Sequence, residues 1–521
     1  MNLFYRILLA FLFFYSLCLS GSEKIDPSID LNKSGYLPVY VRMSDQLITG
    51  AGEYERLSIE HSVHSRSENR RQVLSILRQK AKDSWDILSM EVRMLSRQGK
   101  LRNIQEFWIV NGFSCLATNS AIEELAGHPE VSYIYLDRFF KPGRRSSTLN
   151  RTEFLAMKAV HAEWEKKGFQ TTQNLKIPWN VREIGAQTAW NEENATGKGV
   201  KVAVIDTGIV STPPLIHALA KNPNEELNGI DDDGNGLVDD LFGYNFIDNN
   251  GNIIDSGATT SHGSACAGII AGRPSVSGLQ TAMAPDSKIM VLKGGFDLRS
   301  LEYLMTNGAD VVSMSFMIVN RDLGQIRGLF RNAFEHLSLG GVLSVGGAGN
   351  YGSKSRHAMP EGKQIGLPKD IPCVLAIAGV DRSRSQLPFS SEGPCHWEGV
   401  HFFSDYPISN SLTKPDLAAF PAGFPVWNVT GSHKVRRDWV EVEKDRGGSL
   451  MIGPAGNSFS GPHAAGVAAL ILSVNAELNP WETSEILRET AHDLGPKGHD
   501  FKFGAGLIDA LAAVRAAKER N

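Results

Sequence analysis

Hydrophobic positions fall into two regimes along the chain. Between residues 36 and 140 they switch between a period of two and a period near 3.6. Leu37 to Met43 alternate like a strand, and Val73, Leu77, Ala81, Trp85, Leu88, Val92 and Leu95 then recur at helical spacing. Ile104 to Val110 and Phe113 to Thr118 are rich in β-forming residues and flank Asn111-Gly112, a hairpin-turn signal. Ser120 to Ala126 reads as a capped helix ending at Gly127, and Val131 to Leu136 as a closing strand. The order β-α-β-β-α-β predicts a small α+β unit of ferredoxin-like arrangement.

From residue 179 onward the pattern changes. Short apolar runs, read as buried parallel strands, stand at Val200 to Ile205, Lys288 to Leu292, Asp310 to Ser315, Val342 to Val345 and Val374 to Ala378. Helical runs such as Leu301 to Thr306 and Leu323 to Leu339 lie between them. This predicts an α/β domain with a doubly wound, mostly parallel sheet over 179–521. Residues 141–178 are polar, carry Arg144-Arg145 and Lys166-Lys167, and read as a linker with one helix, Glu153 to Lys167. After a last helix, Leu507 to Lys518, no further domain is expected.

The apolar run Ile7 to Leu19 behind Arg6, bounded by Ser20, Gly21 and Ser22, is short for a membrane span. It predicts a signal peptide over residues 1–20, export, and no membrane span in the mature protein. Net charge is −4, so no basic field points to nucleic acid. Five cysteines are too few for a disulfide scaffold. Cys373 and Cys395 are the expected pair in an exported protein, with Cys115 unpaired and Cys266 a buried filler.

Three stretches carry candidate chemistry. Asp206 stands where an apolar strand ends, in Val204-Ile205-Asp206-Thr207-Gly208. His262 opens a small-residue helix, His262-Gly263-Ser264-Ala265-Cys266-Ala267-Gly268. Ser458 follows a glycine turn, in Gly456-Asn457-Ser458-Phe459-Ser460-Gly461-Pro462-His463, ahead of the apolar run Ala464 to Val474. A serine is inert at its own pKa, so an imidazole must take its proton and a carboxylate must orient that imidazole. A helix start also supplies free N–H groups to an oxyanion.

These stretches resemble the motifs of the subtilisin-like serine proteases. The aspartate motif matches at 204–208. The histidine motif, usually H-G-T-x-V-A-G, matches at His262, Gly263, Ala267 and Gly268, and the serine motif, G-T-S-x-x-x-P-H, at Gly456, Ser458, Pro462 and His463. The resemblance covers about residues 179–520 and implies a secreted serine endopeptidase, with a peptide or protein as substrate and a monomer as the acting form. It makes Asn350, at the end of GGVLSVGGAGN, the oxyanion asparagine. It makes Asp310 to Met317 a substrate-pairing strand, assigning Ser313, Ser315 and Phe316, with Gly347 and Gly349, to substrate binding. The small N-terminal unit resembles the family's inhibitory propeptide, which implies self-processing and a partnership with the chain's own propeptide. Ser264, Cys266 and Asn457 replace the family's usual threonine, valine and threonine. Met317 stands where the family commonly has glycine at the wall of its primary specificity pocket, and with Phe316 it leaves the preference open. A catalytically silent binding module is the alternative reading, and the complete triad argues against it.

Asn228 to Asp240, NGIDDDGNGLVDD, predicts a calcium loop. With Asp231 at position 1 of an EF-hand-like spacing, Asp233 is 3, Asn235 is 5, Leu237 offers a carbonyl at 7 and Asp239 falls at 9. Position 12 is Phe242 rather than glutamate, so the loop is not a full EF-hand.

Overall fold

The computed structural model describes residues 21–139, 151–167, 174–255, 257, 259–295, 297–319 and 321–520. The expected signal segment and Arg144-Arg145 lie outside the described residues.

The N-terminal unit is an antiparallel sheet of β1 (Leu37–Met43), β2 (Leu101–Phe107), β3 (Gly112–Ala117) and β4 (Val131–Leu136), in the order β2-β3-β1-β4. Successive side chains of a strand point to opposite faces. Val39, Val41 and Ile134 face Leu88, Val92, Ile122 and Leu125 of the unit's own helices. Tyr40, Tyr133 and Tyr135, on the other face, join one apolar cluster with Leu301, Leu304, Phe330 and Phe334 of the larger unit. The small sheet is therefore covered on both sides, once by its own helices and once by the neighbouring unit. Its long helix, Arg66–Arg97, opens with a reciprocal cap in which Ser65 and Glu68 satisfy each other's backbone N–H. A helix not expected from the sequence, Glu53–His61, precedes it; only Tyr54 and Leu57 are buried there, too few to show a period.

Polar contacts fasten the two units. Arg66 pairs with Asp310 at 2.5 Å. Glu302 accepts the N–H groups of Trp108 and Ile109 at 2.6 and 3.0 Å. His336 donates through Nδ1 to Ile109 O at 2.6 Å and accepts the Ile48 N–H at Nε2, 3.1 Å away. Burial lowers this imidazole to about 4, which suits its use as a neutral donor–acceptor.

The larger unit is built on seven parallel strands: β5 (Lys201–Asp206), β6 (Gly243–Asn245), β7 (Lys288–Lys293), β8 (Val311–Met314), β9 (Leu343–Gly347), β10 (Val374–Gly379) and β11 (Leu417–Ala419). Their order is β11-β10-β9-β8-β5-β7-β6, so the chain leaves β5 in one direction and returns to its other side at β8. Such a switch point opens a crevice at the carboxyl ends of the strands. The doubly wound parallel sheet is as the sequence predicts. The unit begins slightly before residue 179, because Lys176 already exchanges backbone hydrogen bonds with Gly278 and Gln280.

The structure departs from the sequence pattern in two places. Arg436 to Arg446 reads as a loop, yet Val440–Asp445 is β13 of a small antiparallel sheet with β12 (Val426–Asn428) and β14 (Gly448–Ile452). Its charged residues hide the strand, and Glu443 is engaged by Ser275 and Ser277. Cys373 and Cys395 are free thiols, as are Cys115 and Cys266. Cys395 packs with Ala348, Ile365 and Ala376, whereas Cys373 lies against a different apolar cluster.

Candidate active site

β5 is an interior strand, and Asp206 is its last residue. The carboxylate is buried, accepts the Thr207 N–H at 2.8 Å, and holds His262 Nδ1 at 2.8 and 2.9 Å from its two oxygens. His262 is the first residue of the helix His262–Ala271. That helix start comes close to β5 because residue 263 is glycine: a Cβ there would lie 2.2 Å from Gly208 O and 3.2 Å from Asp206 Cβ. The histidine motif's departure at Ser264 keeps a hydroxyl with a use, since Ser264 Oγ accepts the Val210 N–H at 2.7 Å.

Ser458 is the second residue of the helix Asn457–Val474. Gly456, just before it, has φ 154 and ψ 151, a conformation open to glycine. The helix presses directly on β9. A Cβ on Gly347 would lie 1.9 Å from Asn457 O, and one on Gly461 would lie 2.6 Å from Gly347 N. Asn457 fastens the turn: its N–H donates to Asn350 Oδ1 at 2.7 Å, and its Nδ2 donates to Gly349 O at 2.8 Å and Ser390 Oγ at 2.9 Å. His463 locks the same helix, donating from Nδ1 to Phe459 O and accepting Asn180 Nδ2 at Nε2; burial lowers it to about 4, so it stays neutral.

These contacts set the electrostatics. Burial alone would push Asp206 up and His262 down. The attraction between them outweighs burial in both, lowering Asp206 and raising His262 well above its ordinary value. Asn350 spends its Oδ1 on the Asn457 N–H, and no acceptor among the described residues takes its Nδ2 protons. The Ser458 N–H lies in the first turn of its helix, where backbone donors lack intrahelical partners. Ser458 Oγ makes one long contact, to Ser315 O at 3.5 Å, and no hydrogen bond to His262 Nε2. A contact of that length holds a hydroxyl weakly, and such bonds tighten when substrate binds. Cys266, expected as a filler, is fully buried but touches the site: its Sγ lies 3.4 Å from Ser315 Oγ, 3.5 Å from Ser458 O and 3.9 Å from His262 Nδ1. Burial pushes the thiol up, so it stays protonated.

The structure separates the expected substrate residues. Ser313 lies inside the sheet, paired with Val204 on one side and Val345 on the other, so it has no free edge. The strand ends at Met314, and Ser315 to Met317 continue beyond it, half-buried. Ser315 Oγ donates to Ser458 O at 2.7 Å. Gly347 is part of the seat of the serine helix, and Gly349, at φ +114, leads into Asn350.

The acidic loop also differs from its expected spacing. Asp239 Oδ1 accepts the N–H groups of Asn228 and Gly229, both at 2.9 Å, and so closes the loop on itself. Asn235 Oδ1 accepts the Leu237 N–H at 2.8 Å. The carboxylates that converge are Asp231 and Asp233, from the expected spacing, and Glu225, from outside it. Glu225 is buried; that burial, with the Asp240 charge beside it, pushes it up to about 7. Burial pushes Asp240 up as well. The donors are hard oxygens crowded against one another, which suits a hard cation such as calcium.

The family model described as "Subtilase family" matches residues 197–506. Bacillopeptidase F of Bacillus subtilis (strain 168) is 25% identical over 477 residues, covering 87% of this chain and 29% of that protein. Subtilisin-like protease 1 of Plasmodium berghei is 26% identical over 368 residues, covering 68% of this chain and 56% of that protein. Subtilisin E of B. subtilis is 23% identical over 422 residues, covering 79% of this chain and 82% of that protein. The chain thus spans under two thirds of the first two relatives.

Proposed function

The chain belongs to the subtilase family, and from that premise we propose that it is a serine endopeptidase made as a self-processing zymogen. The observation that carries the reading is the convergence of the Asp206–His262 pair and the Ser458 helix start at the crevice of the parallel sheet. His262 Nε2 takes the Ser458 proton as Oγ attacks the peptide carbonyl. Asp206 keeps the imidazole in the Nδ1–H tautomer and stabilises the imidazolium. Asn350 Nδ2 and the Ser458 N–H receive the oxyanion. His262 then protonates the leaving amine, and water, activated by the same imidazole, hydrolyses the acyl-enzyme.

The N-terminal unit serves as an inhibitor and folding template. Its small sheet shares an apolar cluster with the helices Leu298–Thr306 and Ile326–Leu339. Beyond β4, Arg138 donates to Asp322 O at 2.9 Å and Phe139 packs on Phe330, 5.1 Å between ring centres. The end of the unit thereby lies against the segment that follows Ser315 to Val319. The first cut falls between Asp137 and Pro178; the candidate bond after Arg145 lies outside the described residues. Glu225, Asp231 and Asp233 would hold calcium, which would neutralise their crowded charge and stiffen the loop. Export rests on the apolar N-terminal run; among the described residues no helix is long and apolar enough to cross a membrane.

The test is to express the full chain with and without Ser458→Ala and to measure intact masses. Wild type should lose its N-terminal part and the variant should keep it. An active wild type of full length would refute the zymogen reading.

A further inference from the structure

We propose that Met317 is a specificity gate that restricts this enzyme to peptide bonds preceded by a small residue, glycine, alanine or serine. The proposal rests on the endopeptidase reading above and adds the class of substrate.

The attacked carbonyl must lie between Ser458 Oγ and the donors at Asn350 Nδ2 and Ser458 N–H. Two chain segments flank that point. Ser315 to Met317 leave the end of β8, and Ala348 to Asn350 leave the end of its neighbour β9. The space between these two segments, here called the furrow, is the seat the proposal gives to a substrate side chain. The Met317 N–H and C=O have no backbone partner among the described residues, so an extended peptide can pair with them. Side chains of an extended peptide alternate between faces. With its carbonyl at Asn350, the residue before the cut bond would lay its side chain into the furrow, and the side chains next to it would point away.

Met317 spans that furrow from its own wall to the other. A Cβ built on Gly349 would lie 2.3 Å from Met317 Cε, so the two walls already touch through this side chain. The sulfur is also engaged: Gly366 N–H donates to Met317 Sδ at 3.2 Å. The side chain packs against the small apolar cluster of Ala348, Ile365, Ala376 and Cys395. Bulk placed there competes with bulk brought in by the substrate.

The wall carrying Met317 is pinned from behind. Lys369 is fully buried, and its Nζ donates to Phe316 O at 2.5 Å. Its stem fits because residue 346 is glycine; a Cβ there would lie 2.1 Å from Lys369 Cε. With the backbone held, a large substrate side chain can enter only by displacing the methionine from Gly366 and the apolar cluster. Gly349 sets the opposite limit, since any side chain on it would meet Met317.

The experiment compares wild type, Met317→Gly and Met317→Leu, each alongside the matching Ser458→Ala protein, on paired peptides that differ only in alanine or phenylalanine before the cut bond. Cut sites in a denatured protein mixture are mapped by mass spectrometry in parallel. Wild type should favour alanine over phenylalanine by about 100-fold in kcat/KM, and Met317→Gly should shrink that ratio at least about tenfold. Met317→Leu, which keeps the bulk, should keep the wild-type ratio. A wild type that cuts after phenylalanine or leucine as readily as after alanine overturns the gate and leaves the endopeptidase reading standing. So does an unchanged ratio in Met317→Gly. Absence of all Ser458-dependent hydrolysis overturns both.

Discussion

The crevice and the acidic loop are both clusters of polar and charged side chains, but they are assembled differently. In the crevice each functional residue sits at the end of a regular element: Asp206 closes β5, His262 opens one helix and Ser458 opens another. Glycines at 263, 347 and 461 fix how closely those elements approach. In the loop at 225–240 the groups hang on turns and settle among themselves, Asp239 capping Asn228 and Gly229 while Glu225 arrives from outside the expected spacing. Residues at element ends inherit their geometry from the fold, whereas turn residues must negotiate it. Substitutions in the crevice should therefore change turnover and leave stability largely intact, and substitutions in the loop should do the reverse.

The largest expected effect breaks or upholds that contrast at once. Ser458→Ala should lower kcat by about a million-fold at an unchanged melting temperature, measured on protein already freed of its N-terminal unit in trans. Asp206→Asn should lower kcat by about 10⁴-fold, because the imidazole loses its enforced tautomer. Asn350→Ala removes one oxyanion donor and should lower kcat by about 10²–10³-fold with KM little changed. A comparable loss of melting temperature in any of the three would erase the distinction between the regions.

The loop supplies the converse. Removing calcium with a chelator should leave the kcat of the surviving folded enzyme unchanged and cost about 2.7 kcal/mol of stability if the ion was present at a hundredfold excess over its Kd. Glu225→Gln should abolish this response, whereas Asp239→Asn should lower the melting temperature and keep it. Because Glu225 stands at about 7 without a cation, protons compete with the ion and the response should fade as pH drops through that value. Equal melting curves with and without chelator would show that the loop holds no stabilising calcium.

The smallest effect concerns pH within the crevice. Only neutral His262 accepts the serine proton, and Asp206 holds the imidazole above 6.5. kcat/KM should therefore rise with pH, about tenfold per unit along an acid limb centred above 6.5. An acid limb centred well below 6.5 would contradict the raised imidazole.

The same contrast explains what could be read from the sequence. Residues in short motifs around glycines were legible because glycine marks close approach, and apolar runs such as Val202 to Ile205 mark interior strands. The ends of β8 were less legible. Asp310 to Met317 is one continuous run, and nothing in it announces that strand pairing stops at Met314, before Ser315 to Met317. β13 was hidden by its charges, and Glu53–His61 by its two buried residues. The pinning of Phe316 by Lys369 joins residues far apart in the chain, and only tertiary packing brings them together.

Active-site labelling reads the reactivity of Ser458 directly. The processed protein is treated with a fluorophosphonate, digested and mapped by mass spectrometry. A single adduct is expected on Ser458, absent from Ser458→Ala and strongly slowed by His262→Ala. A folded protein that takes no label, or takes it on another serine, would contradict the assignment of this crevice as the catalytic centre.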